Sequence, residues 1–558
     1  MSQGNTINQK MSTSTLETFE IDREVKCELA NVDHPKFKES DAGDGTKRED
    51  HILHGTKLWL CVVSLLMCLF LVSLDQMITM AVLTTISEHF HEFDKFTWIT
   101  AAFMMPLGCL SQFWAKLSIS FGRKWVMLIG IILFEVGSLV AGIATSMNMF
   151  IGGRAIQGTG GSCIQSLTMI IVTEISTIDN RSQLLACVSI VFVVASVLGP
   201  LIGGVFGTNV SWRWCFYINL CFGAVIVPLF FLSYKPNPPK GTFRSKLKTI
   251  DILDNILLIA GFVLILIAIS FGQTDNEWGT AKTISCFVIG GVIIVIFCCY
   301  NFTYCKYPVI PKNIMFNSHI FSAFMTYSFS YSVLMVMAQF LCMYAETVLG
   351  HNALHTGFFI IPCALATCGT SIVNAFLIKK TRYIKPFCLL GAALLPVSPG
   401  LCQLLKVKEH LGLVIGLEII LGVGDGLNFQ GPVLSANIHA PKEAGSTILT
   451  TAFLNFGRST MTAFFSEIGS AIYEACLRSS IKKIAPYIHE SSTPLETILL
   501  DPQLLQNLDE HDKQLILEKV TDALKNVFWF CTALACVALV SSLFLSSKRV
   551  PPSEEVEK

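Results

Sequence analysis

A charged side chain lies among glycines in the middle of a long apolar segment. Arg154, Gly158, Gly161 and Gln165 follow one another at spacings of four, three and four residues, which places them on one helix face. The segment 149–175 is long enough to cross a bilayer, and a guanidinium held there must face a bundle interior or a watery cavity. This pattern indicates a polar site inside a membrane bundle. The alternative is a glycine-lined packing seam with Arg154 reaching an interface.

Two carboxyl groups occupy similar apolar surroundings, Asp75 in the segment 58–86 and Glu135 in the segment 125–145. Unpaired and ionised, each would cost at least about 2.5 kcal/mol on insertion scales, so each must pair with a cation or take a proton. Desolvation favours the protonated carboxyl and an approaching cation favours the carboxylate, so one site can exchange protons for a cationic solute. The alternatives are a permanent ion pair between Asp75 and Arg154 and a helix–helix hydrogen bond for Glu135.

The second half of the chain carries a similar set of polar residues. Asp425 and Asn428 share a helix face at a spacing of three, and Arg458 lies on the next long apolar segment. We expect Asp425 and Arg458 to form a structural salt bridge. Further polar side chains that could line a cavity or bond between helices are Gln157, Gln165, Tyr327 and Tyr331.

The composition agrees with a polytopic membrane protein. Hydrophobic residues make up 52% of the chain, charged residues only 14%, and the mean hydropathy is +0.58. Soluble domains average about 25% charged residues. The net charge of zero suggests no nucleic-acid partner. The 20 cysteines lie mostly singly inside apolar segments, with only Cys298 and Cys299 adjacent, and this pattern is typical of small buried hydrophobes rather than metal ligands or a disulfide framework. We expect no metal and no cofactor.

Fourteen apolar segments follow an acidic tail that is poor in aromatic residues. The predicted fold is an all-α membrane protein with 14 transmembrane helices. The predicted parts are a disordered cytoplasmic tail at 1–57, a six-helix bundle at 58–233, a basic cytoplasmic loop at 234–250, two inserted helices at 251–304, a second six-helix bundle at 316–546 and a cytoplasmic tail at 547–558.

The distribution of Lys and Arg predicts which side each loop faces. With both termini in the cytoplasm, the six short inner loops carry fifteen basic residues, whereas the short outer loops carry only Lys95, Lys406 and Lys408. The long loop 475–525 then lies on the non-cytoplasmic side, where its patterned stretch 508–524 predicts an amphipathic surface helix.

Five strings resemble successive signatures of the major facilitator superfamily. They are Leu-Asp-Gln-Met-Ile-Thr-Met-Ala-Val-Leu at 74–83, Phe-Gly-Arg-Lys at 121–124, Arg-Ala-Ile-Gln-Gly-Thr-Gly-Gly at 154–161, Gly-Pro-Leu-Ile-Gly-Gly at 199–204 and Trp-Arg-Trp-Cys-Phe-Tyr-Ile-Asn-Leu at 212–220. Their order and the fourteen segments resemble the drug:proton antiporter branch. Within it, the strings at 134–138, 212–217 and 524–529 resemble the fungal vacuolar basic amino acid transporters and azole or dye resistance pumps.

The resemblance implies two six-helix halves with two helices inserted between them. It also implies an antiporter motif at Gly199, Pro200, Gly203 and Gly204, which breaks the regular backbone, permits close helix approach and governs rocking of the halves.

One position departs from the family pattern. Gly122, Arg123 and Lys124 match the loop signature, but Ile119 stands where the resemblance places an aspartate that helps to latch the halves on the cytoplasmic side. The latch must therefore be weaker or rebuilt. Another acid near a cytoplasmic helix end, such as Glu174, could pair with the basic residues, which otherwise serve as positive-inside anchors.

These observations predict a proton-coupled antiporter of small cationic solutes, and not an enzyme. Basic amino acids moved into the vacuole are the preferred cargo, and multidrug export across the plasma membrane is the alternative. The expected partners are a small molecule, protons and the lipid bilayer, with no nucleic acid and no obligate protein partner. A siderophore carrier and a transporter-like nutrient sensor stay open, whereas a channel fits less well because it needs no proton-exchanging carboxylate.

Overall fold

Helices form nearly all of the computed structural model. It describes residues 40–41, 43–92, 95–236, 239, 246, 251–274, 278–351, 353–407, 411–484 and 510–551. Within these residues there is no β-strand.

Ten α-helices precede the second half of the protein. They are α1 (Gly55–Ala81), α2 (Leu83–Phe90), α3 (Phe96–Cys109), α4 (Ser111–Phe121), α5 (Arg123–Gly142), α6 (Met147–Ile175), α7 (Ile178–Val205), α8 (Trp214–Ser233), α9 (Ile252–Thr274) and α10 (Ala281–Cys299).

Nine more α-helices follow. They are α11 (Lys312–Met315), α12 (Ser318–Thr347), α13 (Ala353–Thr381), α14 (Lys385–Leu394), α15 (Val397–Leu401), α16 (Leu411–Asn428), α17 (Gly431–Ile438), α18 (Ser446–Ile484) and α19 (Glu510–Leu543). The chain leaves the helix between α16 and α17, at Phe429 and Gln430, just before Pro432.

Eleven helices among the described residues are long and apolar enough to cross a membrane. The remaining predicted spans correspond to α3 with α4, to α6 and to α18. The first is interrupted at Leu110, and the other two carry polar residues such as Arg154 and Arg458. The count of fourteen spans therefore stays a prediction. Helices α6 and α18 fall below the hydropathy expected of a membrane span, and they carry the buried residues Arg154 and Arg458.

The helices form two groups that meet along two seams. In the first group α5 packs on α6 and α1 packs on α7, and in the second α12 packs on α18 and α19 while α13 packs on α16. The groups meet where α7 packs on α13, and where α3 and α4 pack on α18. The paired helices α9 and α10 attach through α9 to α3 and α18, beside the second seam.

Two predicted boundaries are wrong. The predicted disordered tail extends to residue 57, but Ser40, Asp44, Thr46 and His51 are buried, and α1 begins at Gly55. The predicted surface helix at 508–524 is instead the first part of α19, which continues without a break into the last apolar segment. Residues 485–509 of the predicted long loop lie outside the described residues.

Candidate functional site

Asp75 on α1 is the centre of a buried hydrogen-bond network. Arg154 Nη1 on α6 lies 2.6 Å from Asp75 Oδ2, and Gln157 Nε2 donates to Asp75 Oδ1 over 2.6 Å. Asn219 Nδ2 on α8 donates to the same oxygen over 2.9 Å. Both amides also reach Ser138 Oγ on α5, at 2.8 and 3.2 Å. Four helices thus meet at one carboxylate, whose charge Arg154 balances.

The sequence allowed two roles for Asp75, proton exchange and a permanent ion pair with Arg154. The structure contains the ion pair. Sequence reasoning missed Asn219 and Ser138 as members of the network. Asn219 could have been found, because it is a polar residue inside the apolar string 212–220. Ser138 could not, since a serine in a membrane helix ordinarily bonds to its own backbone, as this one also does to Phe134 O at 3.0 Å.

The glycine face of α6 allows the close packing that brings Arg154 to Asp75. A Cβ at Gly158 would collide with the carbonyl group of Phe103 on α3, and a Cβ at Gly161 would lie 3.3 Å from Val72 on α1. The Arg154 guanidinium lies 4.3 Å from the centre of the Phe103 ring. The predicted shared face of α6 is therefore confirmed, and it faces α1 and α3.

Gln165 and Glu135 lie apart from this network. Gln165 Oε1 on α6 and both carboxyl oxygens of Glu135 on α5 are buried without a hydrogen-bond partner. Glu135 packs so closely on α8 that a Cβ at Gly223 would strike its carboxyl group. The Glu135 carboxyl group thus lies between α5 and α8 without a counter-charge.

Arg458 on α18 is also buried, and it is surrounded by aromatic rings. Its guanidinium carbon is 3.6 Å from the ring centre of Tyr331 on α12, 5.1 Å from that of Phe192 on α7 and 5.3 Å from that of Phe429. Nη1 donates to the Tyr327 hydroxyl over 3.1 Å. Phe192 belongs to the first group of helices and the other three rings belong to the second, so Arg458 lies where the two groups meet.

The expected salt bridge between Asp425 and Arg458 is wrong. No nitrogen of Arg458 comes within 4.0 Å of the Asp425 carboxylate, because the guanidinium stacks on Tyr331 and bonds to Tyr327 instead. Asp425 Oδ2, Arg458 Nε and Arg458 Nη2 are buried without a hydrogen-bond partner. The second half therefore holds a cation and an anion that do not neutralise each other directly.

Asn428 and Asp425 have no partner in common, although three residues separate them on α16. The Asn428 amide lies against the backbone of α14, where its nitrogen donates to Cys388 O over 3.0 Å and its oxygen accepts from Ala392 N over 3.0 Å. Asn428 thus joins α16 to α14. Another buried acid of this half, Glu418, has Oε2 without a hydrogen-bond partner.

The glycine–proline motif does not break α7, contrary to prediction. The helix runs without interruption from Ile178 to Val205 with Pro200 inside it, because backbone groups freed by a membrane proline can be satisfied locally. The predicted close approach is confirmed at Gly199, where a Cβ would collide with Met77 on α1. Gly203 is buried and Gly204 is half-buried.

Arg123 at the start of α5 lies between two carboxylates. Its Nη2 is 2.9 Å from Glu174 Oε1 at the end of α6, and its Nη1 is 2.5 Å from Asp44 Oδ2 of the N-terminal segment. The pairing with Glu174 is confirmed. Asp44 was not foreseen, because its position in a charged tail carries no sign of a fixed partner.

Burial raises the pKa of Asp44, but the neighbouring Arg123 charge and two hydrogen bonds from Thr46 outweigh that effect and lower the pKa below its ordinary 3.8. Asp44 is therefore a carboxylate at neutral pH. His51 lies near both acids, with Nε2 3.9 Å from Asp44 and Nδ1 3.8 Å from Glu174.

The other two residues of this loop signature have different contacts. Gly122 has φ of +96°, which favours glycine, and it lets the chain turn from α4 into α5. Lys124 Nζ donates to Phe231 O over 2.6 Å and lies 4.0 Å from the Phe231 ring centre. These contacts agree with the predicted role of Lys124 as a basic residue that anchors a helix end on the cytoplasmic side.

The same end of the molecule, which we call the inner end, joins the two groups of helices. Arg382 after α13 lies 3.8 Å from Asp179 on α7, and Lys379 donates to Asn180 and Gln183 over 3.0 and 3.2 Å. Ala115, Ile119 and Ile170 of the first group pack on Ile448 and Ala452 of α18. The helix groups are in contact at this end in the structure.

The fold and the order of motifs match one family. The model of the Major Facilitator Superfamily matches residues 65–465. The chain belongs to this superfamily, and it is an integral multi-pass membrane transporter with the all-α major facilitator fold.

Curated relatives from fungi cover nearly the whole chain. It is 28% identical to efflux pump bfoC of Aspergillus brasiliensis over 89% of this chain and 88% of that protein. It is 27% identical to azole resistance protein 1 of Saccharomyces cerevisiae, over 91% of both chains. It is 26% identical to vacuolar basic amino acid transporter 5 of the same yeast, over 92% of this chain and 94% of that one.

A solved structure is similar in fold at low identity. The human organic anion transporter MFSD10 aligns with a TM-score of 0.53 and 13% identity, covering 86% of this chain and all of that one. At this identity the similarity concerns the fold alone.

Proposed function

We propose that this protein is a proton-coupled antiporter of small cationic solutes, with basic amino acids carried into the vacuole as its preferred cargo. Both termini then lie in the cytoplasm, and the inner end faces that side. Membership of the superfamily supports a small-molecule cargo. Protons, cargo and compartment are the proposed part.

This proposal rests on one observation: several carboxyl groups in the predicted spans have buried oxygens without a hydrogen-bond partner. Asp425 Oδ2, Glu418 Oε2 and both Glu135 oxygens are buried and unpartnered. Such a group is stable only if it holds a proton or meets a cation. Releasing a proton as a cationic solute arrives, and taking it back as the solute leaves, is the exchange that an antiporter needs.

Asp75 takes a different place in this scheme. Its carboxylate already has Arg154, Gln157 and Asn219 as partners, so protonation must displace at least one of them. We propose that Asp75 responds to the arrangement of α1, α6 and α8, and that Asp425 and Glu135 are the freer proton carriers.

Uptake by vacuolar vesicles of known orientation tests the proposal. Radiolabelled arginine uptake, driven by ATP and abolished by an uncoupler, should fall severalfold when the protein is deleted and return with the wild-type gene. Asp425→Asn should fail to restore pH-driven uptake although the protein still inserts. Asp522→Asn, an exposed acid on α19, is the matched control. Unchanged uptake in the deletion strain would contradict the vacuolar amino acid assignment.

Multidrug export across the plasma membrane is the second candidate. The rings of Phe192, Phe429, Tyr327 and Tyr331 surround the Arg458 guanidinium, so they could offer aromatic walls to a flat, lipophilic solute. The relatives named for efflux and azole resistance support the same reading. New azole or dye sensitivity in the deletion strain, together with unchanged arginine uptake, would select this candidate.

A further inference from the structure

We propose that Arg458 and Asp425 are the two halves of a receptor for an amino acid, with Arg458 holding the substrate carboxylate and Asp425 holding an ammonium group. This assignment rests on the proposed function and names the part of the site that selects amino acids over other cations.

Arg458 lies well inside α18, beside the seam between the two groups of helices. It is 12 residues from the start of α18 at Ser446 (458 − 446), which at 1.5 Å per residue is about 18 Å along the helix. The hydrocarbon core is about 30 Å thick. Phe192 of α7, from the other group of helices, contacts it across the seam. Sites near the midplane between the two halves are general among secondary transporters.

The hydrogen-bonding capacity of Arg458 is mostly unused. Its side chain is 1% exposed, yet Nε and Nη2 have no acceptor. A buried guanidinium with two free donors is expensive in hydrocarbon, and no acid within ion-pair distance offsets it. Nε and one Nη of a guanidinium are the pair that binds a carboxylate with two parallel hydrogen bonds.

Asp425 supplies the complementary charge. Oδ2 has no partner, and the residue lies one helical turn before Phe429, which contacts Arg458. A molecule with a carboxylate and an ammonium group can satisfy both side chains at once. A lipophilic cation without a carboxylate can satisfy only Asp425.

Transport of arginine and of agmatine, which is arginine without its carboxylate, tests this receptor. The purified protein is reconstituted in liposomes with an acidic interior, and uptake of each labelled compound is measured. We expect the wild type to prefer arginine roughly ten- to hundredfold, the range for losing hydrogen bonds to a charged group. Arg458→Gln should reduce this ratio to near one, and Arg458→Lys should restore it only in part because lysine cannot bind two oxygens in parallel.

The ratio separates recognition from folding, because a misfolded variant loses both compounds equally. Lys124→Gln, which removes a positive charge at the start of α5, should keep the wild-type ratio. A wild type that carries both compounds equally, or an Arg458→Gln protein that keeps the preference, would overturn the receptor while leaving the proposed function standing. A wild type that carries neither arginine nor lysine would instead overturn the proposed function, and the receptor with it.

A separate observation supports a second inference: we propose that residues 40–54 form a strap that holds the inner end closed. The strap is tied to the first group of helices by charge. Asp44 pairs with Arg123 of α5, His51 lies near Glu174 of α6, and Leu53 N donates to Ile175 O over 3.1 Å.

The strap is tied to the second group of helices by its other end. Gly445 N donates to Asp41 O over 2.7 Å, and Ser40 Oγ lies 2.8 Å from Thr447 Oγ1 at the start of α18. Gly43 has φ of +79°, and a Cβ there would come within 2.8 Å of Gly445 Cα. The two backbones are in direct contact at that point.

Separating α18 from α5 and α6 at the inner end must therefore break one set of these contacts. The Asp44–Arg123 pair is the strongest of them, since both side chains are 1% exposed and the charges are screened little. Asp44 also gives Arg123 a carboxylate partner in a chain that has Ile119 in place of the aspartate of the family pattern. The strap thus couples opening of the inner end to release of Asp44.

Thiol accessibility at the seam measures this coupling. Ile448→Cys places a thiol on α18 inside the apolar contact with α4 and α6, and its reaction with N-ethylmaleimide is followed by mass spectrometry of that peptide. Adding Asp44→Asn should raise the rate severalfold. Asp50→Asn, the same change at an exposed residue, should leave it unaltered.

A double-mutant cycle shows whether the effect passes through Arg123. Asp44→Asn should change little in an Arg123→Gln background, because the partner is already lost. An Asp44→Asn protein that reacts like the wild type, or effects of the two changes that simply multiply, would overturn the strap.

Discussion

Arg154 and Arg458, two of the buried arginines, differ in how their charge is met. Arg154 has an ion pair with Asp75 and a hydrogen bond to Gln157 over 2.7 Å, whereas Arg458 has a hydroxyl and aromatic faces. Arg154 Nε also has no hydrogen-bond partner, but Asp75 balances the charge of Arg154. A charge-balanced pair favours one packing of the helices, and a guanidinium without a counter-charge favours an anionic ligand. We therefore assign a positioning role to the first arginine and substrate contact to the second.

Removing one partner of the first pair should be far worse than removing both. Asp75→Asn leaves Arg154 buried without its counter-charge, and we expect a loss of roughly 3 to 5 kcal/mol, the range for breaking a buried pair. The neutral double variant Asp75→Asn with Arg154→Gln should recover most of that loss. Thermal unfolding of the purified proteins in detergent measures the difference.

The same two variants test the role of Asp75 in coupling. If Asp75 must change its protonation during transport, the double variant should fold yet show no pH-driven uptake, while exchange of labelled for unlabelled substrate persists. Normal pH-driven uptake by the double variant would move the coupling role to Asp425 or Glu135.

At the scale of the helix, close packing explains why α6 is rich in glycine. Gly158 and Gly160 bring α6 so near to α3 and α5 that a side chain at either position would collide with backbone atoms of Phe103 or Phe134. This proximity places Arg154 and Gln157 within hydrogen-bonding distance of Asp75. Spacing alone predicts the face of α6 that carries Arg154, Gly158 and Gly161, because periodicity and residue size determine which residues of one helix lie together. Gly160 lies on a different face, towards α5, and was not part of that prediction.

A pair of alanine substitutions on α6 tests this explanation. Gly158→Ala should destabilise the protein by about 1 to 3 kcal/mol, since the new methyl group must push α3 away. Gly152→Ala, on the same helix but at a position where a Cβ would meet no neighbouring helix within 4 Å, should be neutral or slightly stabilising because alanine is the better helix former. Thermal unfolding midpoints of both variants give the comparison, and equal losses would argue against steric packing as the reason for the glycine.

At the scale of the whole molecule, the sequence predicts the helices better than their contacts. Hydrophobic segments correspond to the observed helices because a bilayer requires about 20 apolar residues. The expected salt bridge of Asp425 failed because spacing along a helix does not say which neighbouring helix a side chain faces. The order in residues 40–54 was missed because it depends on Arg123 and Thr447, which are distant in sequence.

Orientation in the membrane is the last feature that the sequence predicts and that an experiment must establish. Fifteen basic residues in the short loops of one side predict that both termini lie in the cytoplasm. An impermeant thiol reagent, applied to intact membranes of known orientation, should spare a cysteine introduced by Ser245→Cys and modify one introduced by Ser491→Cys. Both positions lie outside the described residues. Permeabilising the membrane should expose the first, which controls for its reactivity. Equal modification in intact membranes would reject the topology, and with it the assignment of the inner end to the cytoplasm.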